Sequence, residues 1–179
     1  MGNIIRLNDK QPAEEWLSMS NGGTDVLLDV LVLAGSALAE KDSEKEQVVW
    51  LAQHDQNVVG LGTVGFDITE MPWTKADFAS QQVFMLRCIA AAREKLWWEK
   101  LEYEPNEELL MPQLDTFESF IRAMTEELVD ENERLEWLAE ADDDDPQLNG
   151  FPVCRKHQVL RSWCGCRFCT VYGHGVSYF

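Results

Sequence analysis

The sequence predicts a mainly α protein, in which a compact helical domain is followed by a small zinc-binding tail of the knuckle or ribbon kind. Apolar residues recur at helical spacing in several segments before residue 142, which indicates packed helices. Potential metal ligands then stand in two close pairs between residues 154 and 169. The predicted division is an acidic helical domain at 1–141, an acidic linker at 142–150 and the zinc-binding tail at 151–179.

The composition supports a folded core. Hydrophobic residues make up 45% of the 179 residues and include seven Trp and eight Phe, which excludes disorder throughout. Charge is divided unevenly along the chain. All 32 acidic residues but only 11 of the 15 Lys and Arg lie in 1–150, a formal charge of −21, whereas 151–179 carries +4. Such an acidic body repels nucleic acid, so any macromolecular partner is expected to be basic, although a merely solvated surface has the same composition.

Five cysteines and a polar N-terminal stretch without the pattern of a secretory signal indicate a cytoplasmic protein. Thiols stay reduced in the cytoplasm, and clustered cysteines there usually bind metal. The longest apolar stretch, 26–39, is interrupted by Asp29 and is too short to cross a bilayer, so no membrane segment is expected.

The N-terminal region is predicted to hold two helices. A short helix should begin at Pro12 and end at Gly22 and Gly23. Thr24 then offers an N-cap for a second helix through 26–38, which is apolar on most sides and should therefore be buried.

The next segment has two possible structures. Ser43 and Glu46 match a capping box, which favours a third helix ending near Asn57. A short β-hairpin around 48–66 is the alternative, because residues on both sides of 54–57 are typical of strands.

Residues 60–65 spell Gly-Leu-Gly-Thr-Val-Gly and match the dinucleotide-binding pattern GxGxxG. That pattern requires a strand before it and a helix directly after it, and Pro72 opposes an immediate helix. The segment is therefore interpreted as a glycine-rich connector, and no nicotinamide cofactor is predicted.

Two further helices are predicted in the second half of the domain. Thr74 and Asp77 begin the first, whose apolar seam contains Met85, Ile89, Ala92 and Leu96, with Cys88 as a core residue. Pro105 and Pro112 mark a connection. A long helix then runs from Leu114 to Leu138 on apolar steps of three and four, and Asp142–Asp145 end it.

The tail carries the most specific signal in the chain. Cys154 and His157 form one pair, and Cys166 and Cys169 form a second, with two residues between the members of each pair. Two short loops of this kind place four side chains around one tetrahedral ion, which predicts one structural Zn²⁺. Cys164 competes with Cys166 for its position.

Two other interpretations of the tail fit its sequence less well. Reduced, metal-free cysteines are disfavoured by the paired spacing, and an iron–sulfur cluster would favour four thiolates. His174 is a further candidate ligand, but its spacing is poor. Because protein side chains fill all four positions, no open position is left for a catalytic water.

The tail is also basic and aromatic, which suits nucleic-acid binding. The residues concerned are Arg155, Lys156, Arg161 and Arg167, with Trp163 and Phe168. Docking of this basic face onto the acidic body, with Trp163 and Phe168 as apolar contacts, is the preferred interpretation.

No catalytic motif is recognised, which leaves three classes of function. The first is a non-catalytic protein-interaction module (an inhibitor, an immunity-type protein or an adaptor) that binds a basic protein. Its predicted binding surface consists of Glu126, Glu127, Asp130, Glu131 and Glu133. The second is a nucleic-acid-associated regulator that binds through the tail, and the third is an enzyme with an unrecognised active site.

Overall fold

The computed structural model describes residues 3–56 and 62–169, and 54% of the structure is helical. The α-helices in these ranges are α1 (Asn21–Leu38), α2 (Asp42–Gln53), α3 (Phe78–Arg93), α4 (Glu107–Ala123) and α5 (Glu131–Ala139). The strands are β1 (Asn3–Arg6), β2 (Leu17–Met19), β3 (Asp55–Gln56), β4 (Gly62–Thr63) and β5 (Phe66–Asp67). The prediction of a mainly α protein is confirmed.

Helix α1 lies at the centre of the core. It packs against α2, α3 and α4, and Leu27, Leu28 and Val30 are fully buried. A helix that is apolar on most sides is stable only when neighbours cover it, and the prediction of a buried helix here is confirmed. By length and composition α1 could also cross a membrane, but a core helix passes the same test, and 56% of α1 is buried inside the protein.

The predicted helix at Pro12 is wrong. Only a single 3₁₀ turn forms at Ala13–Glu15, and it lies between two strands that pair antiparallel, with Ile5 opposite Leu17. β5 adds to β1 in parallel, so the sheet order is β2-β1-β5. Leu17 and Met19 are buried and Ser18 is exposed, a period of two that fits a strand.

Helix α1 also begins earlier than predicted. Its N-cap is Ser20 and not Thr24, because the Ser20 hydroxyl accepts a hydrogen bond from the N–H of Gly23. Gly22 and Gly23 therefore lie in the first turn of α1 and do not end a preceding helix.

The segment for which a third helix and a β-hairpin were the alternative predictions contains both elements. Helix α2 comes first, and a short hairpin follows it. α2 begins after Lys41, not Ser43, and the Glu44 carboxylate accepts the backbone N–H groups of Glu40 and Lys41. The helix ends at Gln53, before the predicted Asn57, and β3 then pairs antiparallel with β4. Residues 60 and 61 of the GxGxxG match lie outside the described residues.

Helix α3 begins at Phe78, directly after the predicted start at Thr74 and Asp77, and ends at Arg93, before the predicted seam residue Leu96. The predicted long helix at 114–138 is wrong. Asp77 is the N-cap of α3, and Cys88 is buried in the core. The later segment is divided between α4, a 3₁₀ turn and α5, because the Asp130 carboxylate caps a new helix by accepting the N–H of Asn132. Pro112 lies inside α4 rather than in a connection. The predicted seam is buried from Leu114 to Met124.

The segment predicted as a linker is a hydrogen-bonded turn. The side-chain amide of Asn149 donates to the carbonyls of Asp143 and Asp145. Pro146 is buried, and the Gln147 side chain accepts a hydrogen bond from Gln53 of α2. The chain therefore reaches the metal-ligand residues along a defined path over α2.

Candidate metal centre

Two short loops carry the four predicted ligands. In the first loop the N–H of Cys154 bonds to the carbonyl of Val159, and Gln158 adopts a left-handed conformation with φ 61°. In the second loop Ser162 and Gly165 exchange backbone hydrogen bonds, and Gly165 has φ 93°, which glycine adopts without a steric penalty. These turns point both pairs of ligands toward one place.

Cys154, His157, Cys166 and Cys169 form a cluster whose ligand atoms all lie within 4.8 Å of one another. The Nδ1 atom of His157 lies 3.8 Å from the Cys154 sulfur, 3.5 Å from the Cys166 sulfur and 3.3 Å from the Cys169 sulfur. The sulfurs of Cys154 and Cys169 are 3.5 Å apart. The edges of a tetrahedron with metal–ligand bonds of about 2.0–2.3 Å are about 3.3–3.8 Å long. The four side chains therefore fit a tetrahedral metal ion.

The surroundings favour the metal-binding form of His157 and Cys154, whereas burial raises the pKa of the Cys166 and Cys169 thiols. Burial, together with the charges of Lys156 and Lys100, lowers the pKa of His157, which keeps its imidazole in the neutral form that binds metal. Burial alone would raise the pKa of the Cys154 thiol, but the backbone N–H groups of His157 and Lys156 and the neighbouring cysteines bring the net pKa below its ordinary value. Hydrogen bonds of this kind stabilise a thiolate.

Cys164 lies outside the cluster. Its sulfur is 3.4 Å from the Ser162 hydroxyl, and burial raises the pKa of its thiol. The structure therefore brings Cys166, and not its competitor, together with the other three ligands. His174 lies outside the described residues.

The helical body holds the first loop from two sides. Leu33 of α1 is completely buried and packs in one apolar cluster with Cys154, Val159 and Cys166. The ammonium of Lys100 donates a hydrogen bond to the carbonyl of His157 at 2.7 Å. The same ammonium lies 3.3 Å from the centre of the Trp97 ring, so a cation–π contact fixes its position.

Arg167 anchors the second loop to the body. Its side chain is only 3% exposed and forms ion pairs with Asp25 and Asp29 of α1 and with Asp55 of β3. The Tyr103 hydroxyl also donates to Asp29. Burial alone would lower the pKa of the Arg167 guanidinium. The three carboxylates raise this pKa by more than burial lowers it, so the group stays charged.

The predicted docking of the tail onto the body is confirmed for two of its residues. Arg167 pairs with the acidic body, and Phe168 packs against the core. Trp163 is 44% exposed, so the prediction that it is an apolar contact is wrong. Sequence reasoning grouped Arg167 with three other tail cations and missed its particular role. The sequence feature that could have distinguished Arg167 from the other cations is its position between two predicted ligands.

The predicted acidic surface lies at the start of α5 and the turn before it. Glu126, Glu127, Asp130 and Glu131 are exposed, and Glu133 is half-buried. Asp130 caps α5, and the Glu131 carboxylate accepts the backbone N–H of Lys75. Burial raises the pKa of Glu133, and so do the charges of Glu70, Glu136, Asp130 and Asp67. Two acidic residues that precede α3, Asp67 and Glu70, therefore add their charge to the predicted surface.

A surface cleft of about 480 Å³ lies between residues 7–15 and α4. The charged residues that line it are Lys10 and Glu15, and hydroxyl groups come from Thr116 and Ser119. This lining lacks the convergent carboxylates that would indicate an acid–base active site. This cleft therefore does not indicate an acid–base active site.

No protein-family model, curated protein or solved structure matches this chain. Three features of the molecule therefore bear on its function. They are the ligand cluster, its attachment to the body and the distribution of surface charge.

Proposed function

We propose that this protein is a non-catalytic protein-interaction module that is held together by one structural zinc ion and binds a basic protein through its acidic surface. The ligand cluster carries the proposal. Three thiol sulfurs and one imidazole nitrogen at tetrahedral spacing suit Zn²⁺, whereas an iron–sulfur cluster favours four thiolates. Protein side chains fill all four positions, which is the arrangement of a structural site and leaves no place for a catalytic water.

Zinc would supply folding free energy that the tail lacks. The described tail contains isolated β-bridges and turns rather than a helix or a sheet. Such a segment has few backbone hydrogen bonds of its own, so metal binding would add to the stability that it gains from packing Val159 and Leu160 against the body.

Elemental analysis of the purified protein should find about one zinc ion per chain. Cys166→Ser should lose that zinc, because it removes one of four ligands. Cys164→Ser should retain it, since its sulfur lies outside the cluster, and this variant is the matched control. Metal-free wild-type protein with an ordered tail, or zinc loss in the Cys164 variant alone, would contradict the proposed site.

The second part of the proposal is supported by charge. Residues 94–145 contain 19 acidic residues against four basic ones. Like charges at this density repel each other and reduce stability, but they also attract a basic protein over long distances. An inhibitor, an immunity-type protein or an adaptor would use such a surface.

Neutralising part of this surface should slow association with a basic protein captured by the wild-type chain. Glu126→Gln, Glu127→Gln and Glu133→Gln should be combined, whereas Asp130 and Glu131 are left intact because they hold backbone N–H groups. We expect the association rate to fall severalfold at low salt, with the difference shrinking as salt rises.

A control with the same net charge tests the position of the surface. Asp9→Asn, Glu14→Gln and Glu40→Gln together remove three charges from exposed residues outside 94–145. Equal association rates for the two triple variants would show that only the net charge matters and would remove the acidic surface from the proposal.

Nucleic-acid binding through the tail is less well supported. Arg167 is buried in ion pairs, which leaves Arg155, Lys156 and Arg161 to meet a phosphate backbone. Retention on DNA or RNA at low salt that disappears as salt rises would favour this alternative.

A further inference from the structure

We infer that Arg167 is a positioning residue for the metal centre. Through its ion pairs, metal binding and the closing of the tail onto α1 and β3 form one coupled event, which we call the latch. This inference rests on the proposed metal site. It goes further because it states that metal occupancy controls the structure of the helical body as well as that of the tail.

The position of Arg167 in the chain is the first argument. It lies between Cys166 and Cys169, both members of the ligand cluster. A metal ion that holds the two flanking sulfurs fixes the backbone between them, and therefore fixes the point from which the Arg167 side chain extends. Without the metal, the loop loses the bonds that hold its two ends at one place.

The partners of Arg167 are the second argument. Asp25 and Asp29 lie 142 and 138 residues before it on α1, and Asp55 lies on β3. Its guanidinium is 2.6 Å from the Asp25 carboxylate and 3.1 Å from the Asp55 carboxylate. The side chain is 3% exposed, and Asp29 is also almost fully buried. If the loop moved away, Asp29 would lose its buried cation, which is unfavourable.

The two events must therefore influence each other equally. If metal binding favours the ion pairs of Arg167, then those ion pairs increase metal affinity by the same factor. Coupling of this kind between two sites commonly changes an affinity by about 5–150-fold. The contact between Lys100 and the His157 carbonyl gives the first loop a comparable attachment.

The experiment compares Arg167→Gln with Arg155→Gln in the full chain. Arg155 lies between Cys154 and His157 and is exposed, so the two variants change the same charge between two ligands. Zinc affinity is measured by competition with a chelator. We expect Arg167→Gln to weaken zinc binding by about 10-fold or more and Arg155→Gln to change it by less than about threefold.

Hydrogen exchange gives a readout that is independent of affinity. Removing zinc from the wild-type chain should speed exchange in the first turns of α1 and in β3, which contact Arg167, while the middle of α4 stays protected. Asp29→Asn serves as a second variant if Arg167→Gln fails to fold, because it removes the other half of the pair. It should also weaken zinc binding.

The outcomes separate the two proposals. Wild-type protein that takes up no zinc overturns the metal site and the latch together. Zinc binding that is equally tight in the wild type, Arg167→Gln and Arg155→Gln, with unchanged exchange in α1 after zinc removal, overturns the latch and leaves the metal site standing.

Discussion

Gly65→Ala is expected to destabilise the protein by about 3 kcal/mol, because it adds a methyl group where two backbone segments touch. A Cβ atom on Gly65 would lie 2.7 Å from the backbone nitrogen of Ile4 and closer still to its carbonyl oxygen. Ile4 belongs to β1, which pairs with β2 on one side and β5 on the other. The strand can therefore move away only by breaking its ladder. Denaturant-induced unfolding measures the change in free energy.

Gly22→Ala is the matched control. A Cβ atom on Gly22 has no neighbour within 4 Å, and the residue lies in the first turn of α1, where alanine costs less backbone entropy than glycine. This variant should match or exceed the wild-type stability by up to about 1 kcal/mol. If both alanine variants had the same stability, close approach to β1 would not be the reason for glycine at position 65.

The protein should lose stability as the pH falls from about 6.5 to about 4, and His54 is the reason. Its ring packs between Trp50 and Phe66, and burial lowers its pKa from 6.5 to about 4. In this pH range His54 is protonated in the unfolded chain but stays neutral in the folded chain, so protonation favours unfolding. Stability is therefore fully present above pH 6.5 and decreases toward pH 4. Because part of the residue reaches the surface, the loss is at most about 3 kcal/mol.

His54→Phe isolates this contribution. It keeps a ring between Trp50 and Phe66 but cannot titrate, and it loses the hydrogen bond of His54 to the Trp50 carbonyl. The variant should be less stable at pH 7 yet show a flatter decline toward pH 4. Protonation of the proposed metal ligand His157 affects both proteins and cancels in the comparison. Parallel stability curves for the two proteins would exclude His54 as the source.

The elements that could be predicted from sequence are those with local signals. The helix around 26–38 and the seam from Leu114 to Met124 show the helical period within one segment, and their burial follows from it. The N-terminal helix was wrong because β1 and β2 are short strands that pair with each other, and β1 pairs further with β5, about 60 residues later. The break between α4 and α5 was missed because the apolar period continues across it, whereas a single cap, Asp130, restarts the helix.

The same distinction holds at the metal centre. The four ligands were predictable because each pair is set by a two-residue spacing. The partners of Arg167 were not predictable, since no local pattern selects Asp25, Asp29 and Asp55 from 32 acidic residues. The attachment of Lys100 to the His157 carbonyl depends likewise on a fold that brings distant segments together.

The ion pairs of Arg167 also bear on how the protein is made. Asp25 and Asp29 leave the ribosome more than a hundred residues before the arginine that neutralises them. During synthesis α1 can therefore pack against α2, α3 and α4 while its N-terminal carboxylates remain without this cation. Contacts of such long sequence separation form late, because they require most of the chain to be in place. On the proposed coupling, the last step of folding depends on metal binding as the tail emerges. A nascent chain without the metal would then be nearly folded, with the ion pairs of Arg167 not yet formed.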